Sequence, residues 1–261
     1  MKLLTHHLLQ GFKRPDHWLY ASWLDVITKY RRNALGLFWI FFPPIVYIWG
    51  LGSFFSAIGK QQAGFLAHMG FGFILFRLMS TVFMEAGGSF GAHKAYINEG
   101  AVRLSDYVLR TVSRSVIHFA FALPLLALVA LTDAAPTFQG VAMSVVGWWV
   151  VVVNLIAYAT LLALLGARYP DINEFFGSAF LALFLITPIV WYADSAVAGT
   201  VQGTLMRINP FYHLLEIVRA PVLGEGVALM TWVYVGIMTC VGLVAAGILY
   251  GRFARRVPSW L

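Results

Sequence analysis

LGLFWIFFPPIVYIWGLGSFF, residues Leu35 to Phe55, holds no charged side chain across 21 positions, and eight of those positions are aromatic. Wound as a helix at about 1.5 Å per residue, such a run covers about 30 Å, the hydrocarbon thickness of a bilayer. The rest of the chain has the same character. Of 261 residues, 60% are hydrophobic and only 11% charged, and the mean hydropathy is +0.78. That leaves too little polar surface to cover a water-soluble globule of this size. These features describe an all-α integral membrane protein, read as a single domain over residues 1–261.

Runs of roughly 18 to 25 apolar residues mark six transmembrane helices. They lie at about Leu35–Ile58, Gly64–Met84, Val116–Leu131, Val141–Leu165, Phe175–Trp191 and Met230–Leu249. Lysine and arginine orient them. Fourteen of the 18 basic residues fall on one side: Lys2, Lys13, Arg14, Lys29, Arg31 and Arg32 before the first span, Lys94, Arg103, Arg110 and Arg114 after the second, Arg168 after the fourth, and Arg252, Arg255 and Arg256 in the tail. Lys60, Arg207 and Arg219 fall on the other side, and Arg77 lies inside the second span. The excess of positive charge predicts that both termini face the cytoplasm. The net charge of +7 clusters at span ends and not along one face, which points to membrane lipids and away from nucleic acid. MKLLTHHLLQGFKRPDHW has no sustained apolar core and no small-residue cleavage site, so no cleavable signal is expected. No soluble domain is evident.

Several chemistries find no support. The single cysteine, Cys240, sits in an apolar run and reads as a small buried hydrophobe, which excludes an internal disulfide framework. Neither HExxH, paired cysteines nor GxSxG occurs, and the seven histidines are scattered apart from His6 and His7 in a terminus expected to be mobile, so no metal site is predicted. The pair Gly59-Lys60 lacks the P-loop context, because Phe54 takes the first glycine position and Gln61 replaces Ser or Thr. ATP binding by that route is therefore not expected.

The connectors are patterned. INPFYHLLEIVRAPVLG, Ile208 to Gly224, lies in a connector of about 38 residues from Tyr192 to Leu229. Asn209 suits a helix cap and Pro210 the first helical position, while Phe211, Leu214, Leu215, Val218 and Val222 recur at helical spacing before Pro221 and Gly224 close the turn. His213, Glu216 and Arg219 border the polar side of that helix, with Glu216 and Arg219 three apart. Two readings stand open: a helix lying flat on the outer headgroups, or a lid over a pathway. On the other side, PDHWLYASWLDVITKYRRN, Pro15 to Asn33, places Leu19, Trp23, Val26 and Tyr30 on one stripe of an amphipathic surface helix. GAHKAYINEGAVRLSDYVLRTVSR, Gly91 to Arg114, reads as two short helices around Gly100 or as a solvated loop.

Inside the membrane the chemistry is sparse. Pro43 and Pro44 are expected to kink or break the first span, and Phe38, Trp39, Phe41, Phe42, Tyr47, Trp49, Phe54 and Phe55 flank them. Aromatic rings would suit a path for a carbohydrate chain, and they equally suit packing or interface anchoring. Arg77 either snorkels to the cytoplasmic end or faces an interior cavity with Glu85 as partner. His68 and His118 read as packed neutral side chains.

KYRRNALGLFWIFFPP (Lys29–Pro44), RYPDINEFFGSAFLALFLITPIVWY (Arg168–Tyr192) and the Ile208–Gly224 stretch together resemble the permease subunit of type-2 ABC exporters for bacterial surface polysaccharides. That family includes O-antigen and capsule exporters, with teichoic-acid exporters as relatives, and the resemblance runs in order over nearly the whole chain. It implies a homodimer in the bacterial inner membrane, partnered by two copies of a separate nucleotide-binding subunit that holds ATP and magnesium. The cargo implied is a polysaccharide on a polyprenyl diphosphate lipid. No cofactor and no catalytic residue is implied for this chain.

Carried onto this sequence, the resemblance makes Pro15–Arg32 a surface gate helix, within an interface helix of residues 15–33. It makes Tyr96–Arg110, within residues 92–114, the ATPase-coupling region, with Tyr96, Ile97, Asn98, Glu99, Arg103 and Arg110 as contacts. Residues 192–229 become outer gate helices through Asn209, Pro210, Phe211, Tyr212, His213, Glu216 and Arg219. Lys29, Arg31 and Arg32 would meet the diphosphate headgroup, though the positive-inside rule alone also explains them. Path candidates are Phe38, Trp39, Phe42, Pro43, Pro44, Tyr47, Trp49 and Arg77. The first outside loop, about Gly59 to Ala63, is shorter than the family often has. An ABC exporter for another lipid or a drug, a gradient-driven carrier and a membrane-embedded enzyme are the competing classes.

Overall fold

The computed structural model describes residues 2–31, 33–58, 63–100, 102–197 and 199–261. Arg32, the expected headgroup residue, and most of the loop Gly59–Ala63 lie outside them. Among the described residues there is no strand; the chain is a helical bundle. Five helices are long and apolar enough to cross a membrane. The first is α3 (Phe38–Ile45), a π-helical turn (Val46–Leu51) and α4 (Gly52–Ile58) in line; the others are α5 (Phe65–Ala86), α7 (Leu104–Val129, extended by a π turn to Ala134), α8 (Phe138–Arg168) and α12 (Leu229–Phe253), the last continued to Trp260. The shorter helices are α1 (Lys2–Lys13), α2 (Leu19–Arg31), α6 (Lys94–Glu99), α9 (Ile172–Ile186), α10 (Val201–Ile208), α11 (Pro210–Val222) and α13 (Val257–Trp260).

The expected fifth span, Phe175–Trp191, is the main difference. Its helix α9 has 15 residues, about 22 Å of rise, and stops at Ile186. The cause is Pro188, whose ring pushes the preceding residue out of helical geometry: Thr187 has φ −78° and ψ 130°. The Pro43-Pro44 pair acts more gently than expected. The first span continues through both prolines and passes directly into the π turn that follows them. Gly100, with φ +69°, does separate two helices, but the second is the long α7, so Arg103 lies at its start and Arg110 and Arg114 along it.

The core is built around α5, α8 and α11. Small residues on α8 let α11 come close: the Ser144 hydroxyl donates to the Val218 carbonyl at 2.7 Å, and a Cβ on Gly147 would overlap the Ile217 carbonyl. At the other end of α8, Gly166 meets the Gly87 carbonyl, where again only glycine fits. Between α7 and α5, the Asp133 carboxylate accepts the Ala67 N–H at 2.9 Å, putting a negative charge on the first turn of α5.

Both termini meet at one end of the bundle. His6 and His7, expected to be mobile, belong to α1, which packs on α12 and α7. Buried Tyr250 of α12 joins the three helices: its hydroxyl accepts from the Ser105 N–H (3.2 Å) and lies 2.9 Å from His7 Nδ1. Cys240, expected to be buried, is exposed on α12. It shares that helix with exposed Val233, Ile237, Val241, Val244 and Ile248, a surface suited to lipid.

Candidate functional site

Two polar regions stand out in this apolar bundle. The first lies at the end that carries the termini, where α2 packs across α7. The expected stripe is rotated: Val26 and Tyr30 are buried, while Leu19 and Trp23 are exposed. Ser22 and Asp25 take their place toward the protein. The Ser22 hydroxyl reaches the Arg110 carbonyl at 2.9 Å, and Asp25 receives two hydrogen bonds from the Arg110 guanidinium, at 2.7 and 2.8 Å. Arg114 binds Glu85 at 2.5 Å and lies 3.8 Å from Asp25. Glu85 is therefore the partner of Arg114, and not of Arg77 as the sequence suggested.

Beneath this lattice lies a cavity of about 270 Å³ between α2, α3, α5 and α7. Asp25, Lys29, Arg77, Glu85, Arg114 and His118 line it, over an apolar floor that includes Pro44. Arg77 makes no ion pair and no side-chain hydrogen bond among the described residues. His118 is partly exposed and faces the cavity. Its Nδ1 lies 2.7 Å from the Arg114 carbonyl, which only accepts, so Nδ1 donates and Nε2 is left toward the Tyr30 hydroxyl at 3.4 Å.

The second region is at the opposite end, around α11. Asn209 caps this helix by accepting the Phe211 N–H at 3.0 Å, and its amide donates to the Thr187 hydroxyl at 2.8 Å. That bond ties the helix start to the residue at which α9 unwinds. The expected wet face is absent, since His213 and Arg219 are both buried. His213 lies 2.8 Å from the Arg207 carbonyl and 3.1 Å from the Thr231 hydroxyl. Arg219, 1% exposed, binds Glu216 at 2.7 Å and the Pro188 carbonyl at 2.6 Å, and lies 3.1 Å from His68 Nε2. A charged side chain is tolerated there because these partners replace water. α11 does not stand apart from the bundle: it packs on α8, α12 and α5.

The other sequence-derived residues are dispersed. Phe38, Trp39 and Phe42 point outward from α3, while Tyr47 stacks on Phe73 with ring centres 3.9 Å apart, and Trp49 is half-buried. Of the path candidates, Pro44 and Arg77 share the cavity. In α6, Tyr96, Asn98 and Glu99 are exposed and Ile97 is buried. Arg103 lies 3.7 Å from Asp106, and Arg110 is taken up by Asp25. Arg31 and Lys29 are exposed on α2. Tyr212 and Pro210 are partly buried.

Asp25, Ser115 and Asp133 were not singled out from the sequence. Asp25 carried a signal, since Ser22, Asp25, Val26 and Lys29 fall on one helical face, but nothing local points to Arg110, 85 positions away. Among the described residues, no three His, Cys, Asp or Glu side chains converge as metal ligands. No protein-family model matches the chain, and no curated protein matches it.

Proposed function

We propose that this chain is the transmembrane subunit of an ATP-driven exporter for a lipid-linked polysaccharide of the O-antigen or capsule type. In this reading it works as a homodimer in the bacterial inner membrane with both termini in the cytoplasm, and ATP is hydrolysed by a separate subunit. The observation that carries the reading is the short helix pair α10–α11, which turns back into the far end of the bundle between α9 and α12 under an Asn-Pro cap. Together with the shortened helix α9, it supports the gate element implied by the resemblance. Exposed Tyr96, Asn98 and Glu99 at the opposite end offer a surface on which an ATPase would dock. Co-expression with candidate nucleotide-binding subunits tests this. The complex should hydrolyse ATP where the purified chain alone does not, and should carry a glycolipid; a chain that transports without any ATPase would sink the reading.

One observation favours a gradient-driven carrier as the second reading. The cluster of Arg219, Glu216 and His68 is buried among the membrane helices, where ionisable groups commonly mark ion or proton paths. Transport by the chain alone in proteoliposomes, abolished by dissipating the ion gradient, would establish it.

A further inference from the structure

The charge balance of the cavity beneath α2 is uneven. Its two carboxylates are both engaged, Asp25 by Arg110 and Arg114 and Glu85 by Arg114. Arg77 and Lys29 remain without a carboxylate partner among the described residues. Hydrogen-bond donors are also left over. Ser115, buried at the wall, has a hydroxyl with no partner, and so does the buried Nε of Arg114. Thr81 adds another hydroxyl to the lining. Buried donors left unpaired are costly, and a guanidinium such as that of Arg77 held in the recess without a counter-charge is costlier still.

We propose that this cavity binds a phosphate-class anion, held by the Arg77 guanidinium and the Lys29 ammonium with the Thr81 and Ser115 hydroxyls. One anion would answer each anomaly at once. It would neutralise the surplus charge, and its oxygens would accept from the unpaired donors. A guanidinium with free N–H groups matches phosphate geometry. A cation is disfavoured, because both acids are already paired. Free phosphate and the phosphate of a lipid headgroup share this chemistry. The site stands on the cavity and not on the export reading, so its failure leaves that reading untouched.

Equilibrium binding to the full chain in detergent tests the site, with inorganic phosphate and dioctanoyl phosphatidic acid as probes and dioctanoyl glycerol as the phosphate-free control. Saturable binding of either phosphate probe is expected, weakened about tenfold or more by Arg77→Gln and unchanged by Arg255→Gln on the exposed tail. Tighter binding of phosphatidic acid than of phosphate assigns a lipid headgroup; equal affinity assigns the free anion. The proposal is overturned if neither probe saturates, if dioctanoyl glycerol binds as well as phosphatidic acid, or if Arg77→Gln changes nothing. Should Arg77→Gln fail to fold, Ser115→Ala and Thr81→Val replace it, and unchanged binding in both overturns the proposal equally.

Discussion

Asp25 and Arg110 meet in a two-pronged ion pair that fastens the surface helix α2 to α7. Both side chains keep about a quarter of their surface exposed (26% and 27%), so water screens the pair while the fork geometry favours it. Asp25→Asn and Arg110→Gln should each lower stability by about 1 kcal/mol, with a coupling of roughly the same size in the double mutant. Thermal melting of the four proteins measures it. Additive effects would mean that the pair contributes nothing of its own.

Under the export proposal, the pairing of Arg110 with Asp25 leaves α6 as the surface on which an ATPase would dock. Tyr96→Ala should reduce recovery of a nucleotide-binding subunit in copurification by about tenfold, without moving the melting temperature of the chain alone. Equal recovery would place the docking surface elsewhere.

Gly147→Leu should destabilise the bundle by about 3 kcal/mol or prevent folding, because the new side chain would enter the Ile217 carbonyl and force α11 off α8. Gly177→Ala on α9, where a Cβ meets nothing within 4 Å, serves as the control and should stabilise by about 0.5 kcal/mol. Similar melting of both variants would contradict the close packing of α8 and α11.

The seating of α1 should depend on pH. Burial first, and then the charge of Arg103, hold the His7 imidazole below its ordinary value of 6.5. A detached α1 therefore takes up a proton more readily than a seated one, so seating is intact above about pH 6.5 and weakens as pH falls below it. Limited proteolysis of α1 should speed up between pH 7.5 and pH 5, and His7→Gln should flatten that dependence.

Sidedness can be read with thiols once exposed Cys240 is replaced by serine. Val201→Cys, on exposed α10, should react with an impermeant maleimide in intact spheroplasts, whereas Ala95→Cys should react only after permeabilisation. The reverse pattern would overturn the orientation drawn from the basic residues.

The sequence made the long crossings legible because apolar length is a local property. It also held the Asn209 cap and the turn at Gly224, which takes a φ of +76°, both of which act within a few residues, whereas Pro221, expected to help close that turn, lies inside α11. The charged lattice was not legible. Arg110 meets Asp25, and Arg114 meets Glu85, only after helices far apart in sequence have packed. The burial of His213 and Arg219 was hidden for the same reason, since a polar stripe on α11 looks identical whether it faces water or the partners supplied by α5 and the segment after α9. Thr187 was misjudged as mid-span because composition registers apolar residues and overlooks what Pro188 does to the backbone before it.

The carboxylate of Asp133 has a bearing on how the protein is made. Ala67 emerges from the ribosome 66 residues earlier, and its N–H has no helical acceptor until the far end of α7 arrives. Away from water a bare amide of this kind is disfavoured. The second and third crossings are therefore expected to be completed as one unit during biosynthesis, and a nascent chain truncated before Asp133 should linger at the translocon.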